Sequence, residues 1–498
     1  MAGFAEYEDY DALGLAQLIR EKQVARSEVR EAAIARIEAH NVKLNAVIHK
    51  LYDFVPLNPA PPGGIFDGVP FLLKDLLSSY AGAPMNHGSR AYAGHTAGFD
   101  SELVRRYRAT GVDILGKTNT PEFGLMGVTE PELHGATRNP WDLLKTPGGS
   151  SGGSGAAVAS RMTPIASGGD GGGSLRIPAS ACGIFGFKPS RGRTPTGPLH
   201  GEIWQGACSE HILSRSVRDS AAMLDATLGD DHGAPYPVGH PGLRYLECTR
   251  TPPRKLRIGF SSASPIGTPV HADCKQAVKD AAHMLQWLGH EVEEATPGID
   301  GDALAISYLT LYAGEVAQEI RAAGEHLRRK PRRGDFEAPT WMLGLLGEAY
   351  TASDFARAMH HWQRFGRAMG QFHQHYDLYL TPTMAFPPVD IGELQPKGAD
   401  KAAMQVVNAL GLGRLLKASG LVDQLARDSL AKSPFTQLAN MTGQPAMSVP
   451  LYWSQSGLPI GVQFIAPMGR EDRLFALAAQ LEQERPWARR RPPLPQVA

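Results

Sequence analysis

Residues 146–180 read "TPGGSSGGSGAAVASRMTPIASGGDGGGSLRIPAS", and their reading decides the fold. Glycine and serine dominate them, which is the composition of a flexible tether. Yet the stretch holds two phased apolar runs and ends in an Arg-x-Pro step, neither of which a tether needs. It also has strand-like segments on both sides, and neither half of the chain reads as complete alone. The stretch is therefore read as part of a sheet-forming core.

Outward from it, strand and helix patterns alternate. "GVPFLLKDLL" and "GVDILGKTN" are short apolar runs bounded by glycine, as buried strands are. Between them "DSELVRRYRATG" has helical spacing and stops at Gly111. Downstream, "SVRDSAAMLDATLG" and "CKQAVKDAAHMLQWLG" read as helices, and "RKLRIGF", "HEVEEAT", "YDLYLTPT", "AMSVPLYW" and "LPIGVQFIA" as strands. Residues 11–40 read as two amphipathic helices, the second with Ser27 as its N-cap. Residues 302–370 and 400–433 are helical in pattern and would cover the sheet. This alternation predicts an α/β fold.

Bulk composition excludes several classes. At 498 residues, with 42% hydrophobic and 20% charged residues, the chain can bury a large core without staples. Its formal net charge is zero, which argues against a nucleic-acid partner. No apolar run approaches a membrane span. The four cysteines form no C-x-x-C pair and read as free thiols of a reducing cytoplasm. The N-terminus lacks a basic segment followed by an apolar one, so the expected localisation is cytoplasmic.

Two chemical readings of the glycine-rich stretch remain. A phosphate loop needs G-x-G-x-x-G opening a helix, or G-x-x-x-x-G-K-[ST]; "GGSGAAVA" meets part of the first and lacks the lysine of the second. Nucleophilic catalysis fits better, because glycines let backbone N–H groups approach a substrate and serines supply hydroxyls. A serine hydroxyl needs a base. No histidine sits in a sharp turn, and no G-x-S-x-G surrounds Ser174. A Ser-Lys arrangement is the chemical alternative. Lys74 follows the apolar run "GVPFLL", where burial favours a neutral amine.

Residues 148–159, "GGSSGGSGAAVA", and 170–178, "DGGGSLRIP", resemble the two halves of the signature of the amidase signature family of serine hydrolases. "GVPFLLKD", "GKTNTPEFG", "GATRNPWD", "SRSVRDSAAMLD" and "TGQPAMSVPLYWSQSGLPIGVQ" have family counterparts in the same order. The resemblance spans nearly the whole chain and is weakest over 302–430. It looks closest to the cyclic-dimer-hydrolase branch of the bacterial amidases.

This resemblance implies one large mixed β-sheet with helices on both faces, in a single amidase domain 1–498. A catalytic core would occupy 65–235 and a helical cover 302–430. It implies a triad of Lys74, Ser150 and Ser174, a cis peptide at Gly149–Ser150, and an oxyanion hole of the N–H groups of Gly171, Gly172, Gly173 and Ser174. Asp170 and Arg176 would support that loop. No metal and no cofactor are implied, and a homodimer is common in the family. The expected reaction is hydrolysis of a small, uncharged linear, cyclic or aryl amide, or an ester, through an acyl-enzyme. The alternative is the glutamine-hydrolysing subunit of a tRNA-dependent amidotransferase.

Gly171 departs from the family, where a side chain, often threonine, follows the aspartate; glycine there would loosen the loop or make room for a bulkier acyl group. Met126, Trp204 and Tyr312 are candidate pocket residues. His87, His134 and His200 read as surface or hydrogen-bonded histidines. No acidic or basic cluster announces a charged substrate.

Overall fold

A computed structural model describes residues 4–58, 61, 63–236, 238–239 and 242–494 of the protein. Among the described residues eleven strands join in a single sheet. They are β1 (Val47–Lys50), β2 (Pro70–Lys74), β3 (Asp113–Thr118), β4 (Ile165–Asp170), β5 (Phe185–Lys188), β6 (Ser209–Ser214), β7 (Arg257–Phe260), β8 (Glu291–Glu294), β9 (Leu378–Pro382), β10 (Ala446–Trp453) and β11 (Pro459–Ile465). The spatial order is β1-β3-β2-β4-β6-β5-β10-β11-β9-β7-β8. The β2–β3, β2–β4, β7–β8 and β7–β9 pairs are parallel and the remaining pairs antiparallel, so the sheet is mixed.

Every residue of β2, β4, β5, β6, β9 and β11 is buried. Strands covered on both faces carry continuous apolar runs rather than alternation, which is why "PFLLK" and "PIGVQFI" were readable. Helices pack on both faces of the sheet. On one flank, Gly301–Leu327 packs against Ala338–Ala349, Ala352–Phe372 and Leu421–Leu430. No helix among the described residues is long and apolar enough to cross a membrane.

The glycine-serine stretch folds as helix Gly152–Ala159, strand β4 and helix Arg176–Cys182, all buried. Its glycines admit close approach. A Cβ on Gly153 would stand 2.4 Å from the Asn119 backbone nitrogen and 2.7 Å from the Ala46 carbonyl oxygen, distances that side chains do not tolerate.

The N-terminal cap differs from the sequence reading. The second helix is Arg26–Leu44 with Ala25, not Ser27, at its N-cap. Glu28 reaches back to accept the Ala25 N–H at 2.7 Å. A third-position glutamate satisfies that donor without a hydroxyl at the cap.

Candidate active site

Lys74 ends β2 and is 2% exposed. Its Nζ donates to Ser150 Oγ at 2.7 Å. Burial pushes the Lys74 amine down to about 8, against the opposing pull of Cys208, Glu210 and Asp170. The amine thus loses its proton far more readily than an exposed lysine and becomes mostly neutral only above about pH 8.

Ser150 follows a cis Gly149–Ser150 peptide and lies just before helix Gly152–Ala159. Its neighbours stitch the two halves of the stretch together. The Ser151 hydroxyl donates to the Gly169 carbonyl at 3.2 Å and the Ser154 hydroxyl to the Ser167 carbonyl at 2.7 Å. The Ser151 N–H reaches the Ser174 carbonyl at 3.3 Å. Ser174 opens on to the same cavity as Lys74 and Ser150. Among the described residues no hydrogen bond joins the Ser150 and Ser174 hydroxyls.

The loop Asp170–Ser174 is held by its carbonyls. Asn440 Nδ2 donates to the Asp170 carbonyl at 2.8 Å, the Tyr308 hydroxyl to that of Gly171 at 3.3 Å, and Thr436 Oγ1 to that of Gly172 at 2.6 Å. The Ile177 N–H takes the Gly173 carbonyl at 2.6 Å. In a planar trans peptide the N–H points opposite to its carbonyl, so anchoring the carbonyls aims the following N–H groups the other way. Those of Gly171, Gly172 and Ser174 donate to no protein group among the described residues. The Gly173 N–H does not join them, because it donates to Asp170 Oδ1 at 2.7 Å. Of the four N–H groups expected to form an oxyanion hole, three are left without a protein acceptor among the described residues.

Asp170 is itself fixed by Arg176, and neither side chain is exposed. The guanidinium donates through Nε and one terminal nitrogen to Asp170 at 2.9 and 2.8 Å, and onward to Asn440, Gln463 and the Thr436 carbonyl. Burial works to raise the Asp170 carboxyl; Arg176 overrides it and holds the group well below the usual range.

Lys74, Ser150, Asp170, Gly171, Gly172 and Ser174 line a cavity of about 800 Å³, and Met126, Trp204 and Tyr312 line it too. Trp204 and Tyr312 meet edge to face at 5.4 Å. The Gly171 departure leaves no empty space. A Cβ there would lie 2.6 Å from Cys208 Sγ and 3.1 Å from the Trp204 ring. The room is taken by protein, so glycine neither loosens the loop nor admits a larger acyl group at this point.

His87 is corrected as well. It lines the cavity, and burial, then Lys117, hold it neutral at about 3. His200 is exposed at the cavity edge. The fold also assembles an acidic wall that no local sequence run announced. Glu202, Glu315 and Glu319 all face the cavity, and none has a salt bridge among the described residues. Burial and then Glu315 push Glu319 up to about 7. Tyr308, Thr436, Asn440 and Gln463 were likewise missed, because nothing local marks side chains that act so far from the loop in sequence.

One cluster has metal-ligand chemistry. Ligand atoms of His49, Asp75 and His134 lie within 4.8 Å of one another. Asp75 already has a cation, however: Lys117 Nζ stands 3.9 Å from its Oδ1. The second carboxylate oxygen takes the Asn86 N–H at 2.9 Å. We assign no metal there.

Comparison with known proteins agrees with this geometry. The amidase family model matches residues 28–475. A 6-aminohexanoate-cyclic-dimer hydrolase of Pseudomonas sp. (strain NK87) is 38% identical over 492 residues, covering 97% of this chain and 96% of that protein. The solved structure of a 6-aminohexanoate cyclic dimer hydrolase complexed with substrate superposes with a TM-score of 0.88 at 36% identity, covering 98% and 99% of the two chains. A bacterial aryl acylamidase structure superposes with a TM-score of 0.82 at 26% identity, covering 96% and 97%. Matched along almost its whole length in both sequence and fold, the chain belongs to the amidase signature family, whose members hydrolyse amide C–N bonds.

Proposed function

We propose that this amidase cleaves small amides with Ser174 as nucleophile, Ser150 as proton relay and Lys74 as base. The observation that carries the reading is the 2.7 Å contact between a buried lysine amine and Ser150 Oγ. Ser174 Oγ attacks the amide carbon as its proton passes through Ser150 to Lys74. The N–H groups of Gly171, Gly172 and Ser174 hold the developing oxyanion. The relay then returns the proton to the leaving amine, and water releases the acid from the acyl-enzyme. The contact between the two serine hydroxyls closes in the substrate complex, as catalytic hydrogen bonds commonly do.

A lysine base fixes the sign of the pH dependence. Only the neutral amine accepts a proton, so kcat/KM should climb through about pH 8, the value at which burial holds Lys74. It should be low at pH 6 and level off above 9. A flat profile from pH 5 to 9 would remove Lys74 from the base role.

The substrate class follows from the walls and the relatives. We infer a neutral or amine-bearing amide, linear, cyclic or aryl, since Glu202, Glu315 and Glu319 disfavour an anion. A panel of a cyclic diamide, an anilide, an ω-amino amide and a carboxylate-bearing amide tests this. The carboxylate compound should be poorest through KM, and Glu319→Gln should narrow its deficit. Preference for the anion would reject the acidic wall as a filter. Glutaminase activity appearing only with a partner chain would favour the amidotransferase reading. The four free cysteines suit a reducing compartment.

A further inference from the structure

Beneath the site lies a buried carboxylate that the mechanism above does not use. Glu210 on β6 stands opposite Gly169 of β4 and is 5% exposed. Its Oε1 accepts from the Ser78 hydroxyl at 3.2 Å. Ser78 Oγ lies 3.3 Å from Ser167 Oγ, and Ser167 Oγ accepts the backbone N–H of Lys74 at 2.8 Å. With the Ser78 proton directed at Glu210, the Ser167 proton is left for Ser78. Each donor in the chain then points toward the carboxylate, and such chains reinforce themselves.

The charge is unusual in its pairing. Asp170 has Arg176 at 2.8 Å and Asp75 has Lys117 at 3.9 Å, but Glu210 has no cation within salt-bridge distance among the described residues. A buried carboxylate held only by a hydroxyl is costly unless its charge is compensated. The cations that face it are Lys74 at the end of β2 and Lys117 on β3. Cys208, Tyr107 and, beyond Lys117, Asp75 complete the titratable surroundings.

We propose that Glu210 is a positioning residue for Lys74: it anchors the Ser78–Ser167 chain that fixes the end of β2 and supplies the fixed negative charge that stabilises the lysine ammonium. This inference rests on the reading of Lys74 as base. The proton leaves Ser174 Oγ, passes through Ser150, and makes Nζ an ammonium in a site that excludes water; on acyl transfer it goes to the leaving nitrogen. Burial pushes the Glu210 carboxyl up to about 7, so it is mostly ionised at pH 8 and above, where the Lys74 amine becomes neutral.

The test is Glu210→Gln, which keeps the shape and an oxygen acceptor for Ser78 while removing the charge. Without that charge the ammonium is less stable. The limb of kcat/KM should therefore move to lower pH by about one pH unit, and plateau kcat should fall about tenfold, with KM unchanged. Ser78→Ala removes the hydroxyl that helps hold the Glu210 carboxyl ionised, so it should move the limb in the same direction by a smaller amount. A Glu210→Gln enzyme with the wild-type limb overturns the proposal, whether or not kcat falls, because a merely structural role would not move the limb. If that variant does not fold, the reciprocal coupling is read in Lys74→Met. There the protonated-carboxyl infrared band that a Lys74→Met/Glu210→Asp control shifts in frequency should titrate at higher pH than in wild type, and an unmoved band overturns the proposal. Full activity in Lys74→Ala would sink the base reading itself. A dead Lys74→Ala beside an unchanged Glu210→Gln sinks only this inference.

Discussion

Ser174→Ala is expected to lower amide hydrolysis by about six orders of magnitude, the scale on which removal of a serine nucleophile acts. It should also abolish the mass adduct left by a fluorophosphonate. The Ser174 hydroxyl makes no hydrogen bond with the protein among the described residues, and the loop around it is held through backbone carbonyls. The variant should therefore melt within a few degrees of wild type. That separation of activity from stability is what marks a nucleophile. An adduct that persists on Ser174→Ala would place the reactive serine elsewhere, with Ser150 and Ser151 the first to be mapped.

Arg176→Ala should fail in the opposite way, through stability first. The side chain is fully enclosed and donates to Asp170, Asn440, Gln463 and the Thr436 carbonyl. Its removal strands the Asp170 carboxylate in the interior, a loss of about 3–5 kcal/mol in comparable buried pairs. The loop carrying Gly171, Gly172 and Ser174 loses its brace at the same time. Denaturant unfolding measures the first effect and the rate of fluorophosphonate labelling in the remaining folded protein the second. The double variant Asp170→Asn/Arg176→Met should recover part of the stability, since it leaves no unpaired charge. A loss below about 1 kcal/mol in Arg176→Ala would mean that Asp170 finds another partner or takes up a proton.

The legibility of this molecule divides along physical lines. Strands β2, β3, β7 and β9 to β11 stood out because strands that pack on a core carry apolar runs, whereas the exposed β8, "EVEE", was readable only through the helix that precedes it. "IASGGD" of β4 and "SEHILS" of β6 did not, because glycine and polar residues fill strands that pass directly under the site. Local motifs pointed to Lys74, Ser150 and Ser174, and the fold brings all three to one cavity. That the Gly173 N–H is claimed by Asp170, three residues away in sequence, was invisible without the turn. The acidic wall was not visible either, since Glu202 and Glu319 become neighbours of one cavity only when the helix Gly301–Leu327 is laid over the sheet.

That same helix carries Tyr308, whose hydroxyl meets the Gly171 carbonyl and whose presence leaves no room for a side chain at Gly172, where a Cβ would fall 2.1 Å from the phenolic oxygen. A helix that lines the cavity is thus also a structural support of the Asp170–Ser174 loop. Anyone grafting residues 302–430 from one relative into another to exchange specificities would be exchanging a brace of the oxyanion loop together with the pocket wall. A chimera would have to keep the tyrosine–glycine contact as a fixed joint and confine its diversity to the turns of the helix beyond it.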